Sequence, residues 1–179
     1  MIYTIGHSNH SRDRFLGLLN AVEITAVGDV RSSPRSRFPH FNGPALRTLL
    51  EGQGITYAQR GQELGGRTAS RTHTYEEVAK TPEFAFGIKW VLWMARNFRV
   101  ALLCSEGEPM ECHRCLLIGR HLHECGEAVG HILKDGTVEP HADFQERLIA
   151  KARLKDTTPQ RERLAEAYRT QARRLGVGA

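Results

Sequence analysis

Long hydrophobic runs are missing from this sequence. No apolar stretch approaches the roughly 20 residues that span a bilayer, so no membrane partner is expected. The opening MIYTIGHSNH runs straight into a strand pattern without the charged-then-apolar layout of a secretory signal, and a cytoplasmic location is expected. Cysteine is scarce: four in 179 residues build no disulfide framework and suggest thiols or ligands instead. Internal repeats and low-complexity tracts are absent, so no repeat architecture is signalled. Lysine is sparse too, with 5 against 20 arginines.

What remains is the composition of a globular domain, 40% hydrophobic with a net charge of +5. The charge is uneven. From Asp143 onward there are nine Lys and Arg against five Asp and Glu, an excess of four, which leaves +1 for residues 1–142. One further basic stretch, Arg31–Arg71, holds seven arginines against Glu51 and Glu63. Planar guanidinium forks suit carboxylate or phosphate recognition.

The most informative stretch is RVALLCSEGEPMECHRCLLIGRHLHEC, residues 99–125. Val100–Leu103 is apolar without alternation, as in a strand covered on both faces. Turn formers and acids follow Cys104. From Glu111 the apolar spacing becomes helical, with Pro109, Glu108 and Glu111 suited to a helix start and Gly126 to its stop. Cys104 is therefore expected at the carboxyl end of a buried strand, and Cys112-His113-Arg114 on the first turn of the next helix.

Other elements follow in order. Strands are expected at Ile2–Ile5, Ile24–Val30, Ile55–Ala58 and Ala128–Leu133. Between them lie a helix capped by Ser11, a short helix over Pro44–Glu51, and a helix opened by Thr81-Pro82-Glu83. Residues 31–41 and 60–74 read as irregular loops. The alternation predicts an α/β domain over 1–142: a three-layer, mainly parallel five-stranded sheet with helices on both faces, flavodoxin-like in strand order. Residues 143–179 read as a charged helical C-terminal extension with Asp143 and Glu146 as a capping box. It could cover the sheet edge, pair two subunits in a homodimer, or act as a basic arm on nucleic acid.

TIGHS at 4–8, DVRSSPRSRFPHFN at 29–42, GITYAQRGQELGGR at 54–67, ALLCSEGEPMECHR at 101–114 and VGHILKDGT at 129–137 together resemble the domain-of-unknown-function 488 family over about residues 1–146. The resemblance implies a cytoplasmic α/β protein with no settled reaction. It singles out His7, Ser8, Asp29, Arg31, Pro34, Ser36, Gly65, Gly66, Cys104, Glu106, Cys112, His113 and Arg114 as signature positions. Cys115 and Cys125 lie outside that pattern.

On a parallel sheet these positions converge at the strand carboxyl ends, where such folds bind ligands. The set predicts an enzyme, a hydrolase or transferase, acting on a small anionic or phosphate-bearing compound, nucleotide-derived compounds included. Cys104, Glu106, Asp29 and Cys112 would be the reactive groups, and His7, Ser8, Arg31, Ser36, Gly65, Gly66, His113 and Arg114 the binding groups. Cys112 is expected to be the most readily alkylated thiol. Cys112-His113-Arg114-Cys115 is formally a C-x-x-C, and Cys104, Cys112, Cys115 and His113 could gather zinc. A single pair without its partner is a weak zinc signature, so no metal is assigned. Gly65-Gly66 lacks the lysine and serine of a phosphate loop; it reads as a hairpin-like bend and implies no cofactor. Two rival classes remain: a noncatalytic nucleic-acid-binding module, and a metal-binding or thiol redox protein.

Overall fold

A computed structural model describes residues 1–66, 73–154 and 159–178. Arg67 and Arg71 of the arginine-rich stretch, and Thr158 before the last helix, lie outside the described residues.

Six strands form one sheet: β1 Ile2–Gly6, β2 Ala26–Asp29, β3 Thr56–Gln59, β4 Val100–Cys104, β5 Val129–Ile132 and β6 Val138–Pro140. Their spatial order is β3-β2-β4-β1-β5-β6. The first five are parallel, and β6 returns antiparallel to β5 after the Asp135-Gly136 turn. This corrects the expectation twice. The described residues form six strands rather than five, the short, polar β6 having carried no hydrophobic signal. The order is also not flavodoxin-like, since β4 inserts between β1 and β2.

Each of the five residues in β1 and in β4 is buried, as the unbroken apolar runs require. Alternate β4 residues point to different hydrophobic clusters. Ala101 and Leu103 pack with α1 (Arg12–Ala21) and α2 (Gly43–Glu51). Val100, Leu102 and Cys104 pack with α5 (Pro82–Asn97) and with the helical segment after β4. Two short helices precede α5: α3 Gly61–Leu64 and α4 Tyr75–Val78, both inside or beside a segment expected to be irregular.

Local start and stop signals behave as their chemistry dictates. Ser11 caps α1 by accepting the Arg14 amide at 3.2 Å, and Thr81 caps α5 by accepting that of Phe84 at 3.2 Å, with Pro82 at the first position. Gly126 and Gly176 both end their helices in the left-handed region. The helix after β4 departs from expectation. A 3₁₀ turn, Pro109–Glu111, precedes a six-residue π-helical segment, Arg114–Gly119, which runs into α6, Arg120–Glu124.

The C-terminal helices are α7, His141–Ala152, and α8, Gln160–Arg174. Pro140 rather than an Asp143–Glu146 capping box stands at the start of α7. Phe144, Leu148, Ala167, Tyr168 and Ala172 join the same core as Ile2 and Val129. A buried polar chain crosses this contact. Thr4 Oγ1 meets His131 Nδ1 at 2.8 Å, His131 Nε2 meets His141 Nδ1 at 2.9 Å, and His141 Nε2 meets the Tyr168 hydroxyl at 2.9 Å. Among the described residues no helix is long and apolar enough to cross a membrane.

Candidate functional site

The pairing register puts the end of β4 beside the ends of its neighbours. Cys104 aligns with Gly6 of β1, and Leu103 with Asp29 of β2. Pairing continues past the strands, as His7 and Ser8 donate their amides to the carbonyls of Cys104 and Ser105, each at 2.9 Å. A Cβ at position 6 would overlap the carbonyl oxygen of Glu106, so only glycine lets the loop after β4 lie this close to β1.

That loop brings four reactive side chains together. Both thiols approach one oxygen of Glu106: Cys104 Sγ at 2.9 Å and Cys112 Sγ at 3.0 Å. His113 Nδ1 lies 3.6 Å from Cys104 Sγ and 3.9 Å from Cys112 Sγ. Its other nitrogen, Nε2, lies 3.2 Å from the Val30 carbonyl. A carbonyl only accepts, so Nε2 carries a proton, and Nδ1 faces the two sulfurs. The ring is held in place by Gly66, where a Cβ would come within 2.7 Å of it.

Cys112 does not sit on the first helical turn but in extended backbone before it. There its carbonyl accepts from the Cys115 and Leu116 amides, and its sulfur accepts from the Arg114 amide at 3.4 Å. Arg114 is 0% exposed and works as a clasp. Its Nη1 donates to the Glu106 carbonyl at 2.6 Å and its Nη2 to that of Gly107 at 3.3 Å, tying the loop to the π-helical segment.

Three acidic groups this close cannot all carry charge unaided. Although burial opposes it, a hydrogen bond from Cys104 and the charges of Arg114 and His113 hold the Cys112 thiol well below the ordinary range. The hydrogen bond to Cys112, burial and the neighbouring charges push the Cys104 thiol well above it. Burial first, then Cys112, raises Glu106. His113 is raised despite its burial by the hydrogen bond and charge of Cys112.

Cys104, Glu106 and His113 open onto a pocket of about 670 Å³ that is also lined by Arg31, Ser32, Arg35, Gly66 and Tyr75, and by Val177 at the C-terminal end. A second hollow of about 670 Å³ adjoins it, sharing Arg35, Ser105, Glu106 and Glu111, and carries His7, Ser8, Ser36 and Lys134 on its wall. The stack of His7 on Phe41 and the contact of its Nδ1 with the Ser8 carbonyl, 2.9 Å, fix that ring. Burial lowers His7 to about 4, and its Nε2 has no hydrogen-bond partner among the described residues.

The expected site residues thus divide. Cys104, Glu106, Arg31, His113 and Gly66 line the first pocket, and His7, Ser8 and Ser36 the second. Arg114 and Cys112 lie just behind the wall, buried at 0% and 1% exposure. Asp29 belongs to neither wall. It is fully buried, and its Oδ1 accepts from Arg31 Nε at 2.8 Å while its Oδ2 accepts from the Tyr57 hydroxyl at 2.7 Å. Gly65 closes α3 against Ser32 with φ −73°, not as a hairpin bend. The alkylation expectation changes as well, because Cys125 is the exposed thiol while Cys104, Cys112 and Cys115 are buried. Cys115 points away from the cluster, its sulfur 3.4 Å from His131 Nδ1. Sequence reasoning missed Arg35 and Tyr75 as pocket residues. Arg35 had a signal in its RSSPRSRF loop, whereas no motif in the sequence marked Tyr75.

An α/β protein with a built pocket at the carboxyl edge of a mostly parallel sheet is the class that fold and site define. Within that class a family model described as "Domain of unknown function DUF488" matches residues 11–120, more than half of the 179. The chain belongs to that family. No curated protein and no solved structure matches it.

Proposed function

We propose that the strand-end pocket is the active site of an enzyme, a hydrolase or transferase, that acts on a small anionic or phosphate-bearing compound. The observation that carries this reading is that Cys104, Glu106 and His113 line a pocket of about 670 Å³ whose wall also bears Arg31 and Arg35. That volume suits a small-molecule ligand. Arg31 is preorganised by Asp29 and by its Nη1 bond to the Phe41 carbonyl, 2.8 Å, so it presents fixed positive charge at little entropic cost. Asp29 is accordingly a positioning residue. Arg35 is exposed and touches both hollows, as a group that closes over a bound anion would. A pocket at the strand ends is also where doubly wound folds bind nucleotides, which supports this reading although the strand order differs from theirs.

The nucleic-acid-binding reading has less support. Arg147, Arg169 and Arg173 of the tail are engaged with Glu108, Glu139 and Glu166, and one face of each tail helix is packed into the core.

The test is calorimetric titration of inorganic phosphate at low salt, followed by turnover assays on a panel of phosphate and carboxylate esters. Arg35→Ala should weaken phosphate binding roughly 10-fold, the loss of one charge-assisted contact. Absence of phosphate binding, or binding that neither Arg35→Ala nor Glu106→Gln alters, would remove the proposal.

A further inference from the structure

We infer that Cys104, Cys112, His113 and Glu106 form a binding site for a divalent transition metal of the zinc class, with Glu106 as the exchangeable ligand on the pocket side. The four donor atoms all lie within 4.8 Å of one another. A tetrahedral zinc site with bonds of about 2.0–2.3 Å has ligand–ligand edges of roughly 3.3–3.8 Å. Of the two sulfur-to-nitrogen distances, 3.6 Å falls within that range and 3.9 Å lies just beyond it. The thiol-to-carboxylate distances of 2.9 and 3.0 Å are hydrogen-bond lengths, and they would open by about half an ångström around a cation.

Three further features belong to metal centres rather than to thiol nucleophiles. His113 uses Nε2–H on a backbone carbonyl and aims Nδ1 at the sulfurs, the outer-shell arrangement that fixes a ligating imidazole. The Arg114 amide donates to Cys112 Sγ, and the Arg114 side chain locks the loop that carries Glu106, so two of the ligands are set by a group that itself never reaches the metal. Both sulfurs converge on a single carboxylate oxygen, a crowding of acidic groups that a central dication relieves. Two thiolates and one imidazole select zinc or ferrous iron over magnesium or calcium.

The C-x-x-C pattern in the sequence points to the wrong partner. Cys115 turns toward Thr4 and His131. The pair that meets is Cys104 and Cys112, joined across the loop after β4. The metal site stands on donor geometry alone, whereas a catalytic role for it rests on the enzyme reading above. In that role a water or substrate oxygen would take the place of Glu106, whose pocket-facing position leaves it free to move aside.

The experiment uses the full chain without a histidine tag. Metal content is measured by mass spectrometry after zinc supplementation, and Co²⁺ is titrated into metal-free protein. One equivalent of zinc, and cobalt spectra with thiolate charge-transfer and strong tetrahedral d–d bands, are expected. Cys112→Ser and His113→Ala should each lower zinc affinity at least 100-fold, while Cys125→Ser should leave it unchanged. If Cys112→Ser fails to fold, as judged by circular dichroism, Glu106→Gln in folded protein should still narrow the cobalt site to three protein ligands and shift its spectrum. A wild-type protein that takes up neither metal, or cobalt bands that depend on Cys125, would overturn the site. Zinc bound without phosphate affinity would keep the metal site and remove the enzyme reading. Phosphate bound without any metal would do the reverse.

Discussion

Removing the Asp29 carboxylate should be among the most damaging single changes in the molecule. The pair is buried, with Asp29 at 0% and Arg31 at 3% exposure. Asp29 accepts from the Arg31 backbone amide at 3.2 Å, from Arg31 Nε at 2.8 Å and Nη2 at 2.5 Å, and from Tyr57 Oη at 2.7 Å. Asp29→Ala leaves a guanidinium that is only 3% exposed with one carbonyl partner, that of Phe41. Breaking a buried pair in this way costs about 3–5 kcal/mol. The orphaned Tyr57 hydroxyl lies within that figure, because contacts in one network do not add. For a chain of this size, each kcal/mol moves Tm by about 2–4 °C, so a fall of roughly 6–20 °C is expected. Urea unfolding followed by far-UV circular dichroism, with unchanged slope, gives the free energy directly. The partner variant Asp29→Ala/Arg31→Met separates charge from packing: with the stranded cation gone, it should be more stable than Asp29→Ala alone. A cost below about 1 kcal/mol for Asp29→Ala, or a double variant no better than the single, would refute the view that this ion pair is what holds the end of β2.

Gly6→Ala should push the Glu106 carbonyl away, costing about 1–3 kcal/mol by overpacking and lowering zinc uptake in the same protein; unchanged zinc content would show that the loop tolerates the shift. His141, lowered by burial from 6.5 to about 3, and His131, lowered in the same direction, are neutral in the fold, whereas the unfolded chain protonates them near 6.5. Their contribution is fully present above about pH 6.5 and lost progressively as pH falls toward 3, so Tm should drop between pH 7 and 5; a rise would contradict this. Tyr168→Phe leaves the His141 nitrogen and Gln145 amide without their partner and should cost about 1–3 kcal/mol by urea unfolding, with a near-neutral result showing that water replaces the hydroxyl. Any nucleic-acid affinity of the basic tail should fall steeply between 50 and 200 mM salt in a fluorescence-anisotropy titration; binding indifferent to salt would exclude phosphate contacts as its source.

Where chain neighbours decide the structure, the sequence could be read directly. Ser11, Thr81-Pro82, Gly126 and Gly176 each act within one helical turn, so their roles follow from local hydrogen bonding and backbone sterics. The buried β4 strand was plain from four consecutive apolar residues, and the strand-end location of Cys104 followed from where they stop. A long-range parallel alternation also implied that strand ends converge, and most of the expected residues do line the two adjoining hollows. Less visible were features that depend on weak local signals, such as the polar β6 and the π-helical segment that holds Cys112 in extended backbone ahead of it.

By itself the sequence determined the α/β class, the ends of most elements and the edge at which the candidate residues gather, because hydrophobic period and capping are properties of adjacent residues. Only the tertiary structure decided that β4 lies between β1 and β2, that Asp29 is consumed by Arg31 and Tyr57, and that Cys112 meets Cys104 while Cys115 faces His131. These are pairings between segments up to more than a hundred residues apart in sequence. Their partners are chosen by how whole helices and strands pack, and that competition leaves no periodic trace in the chain.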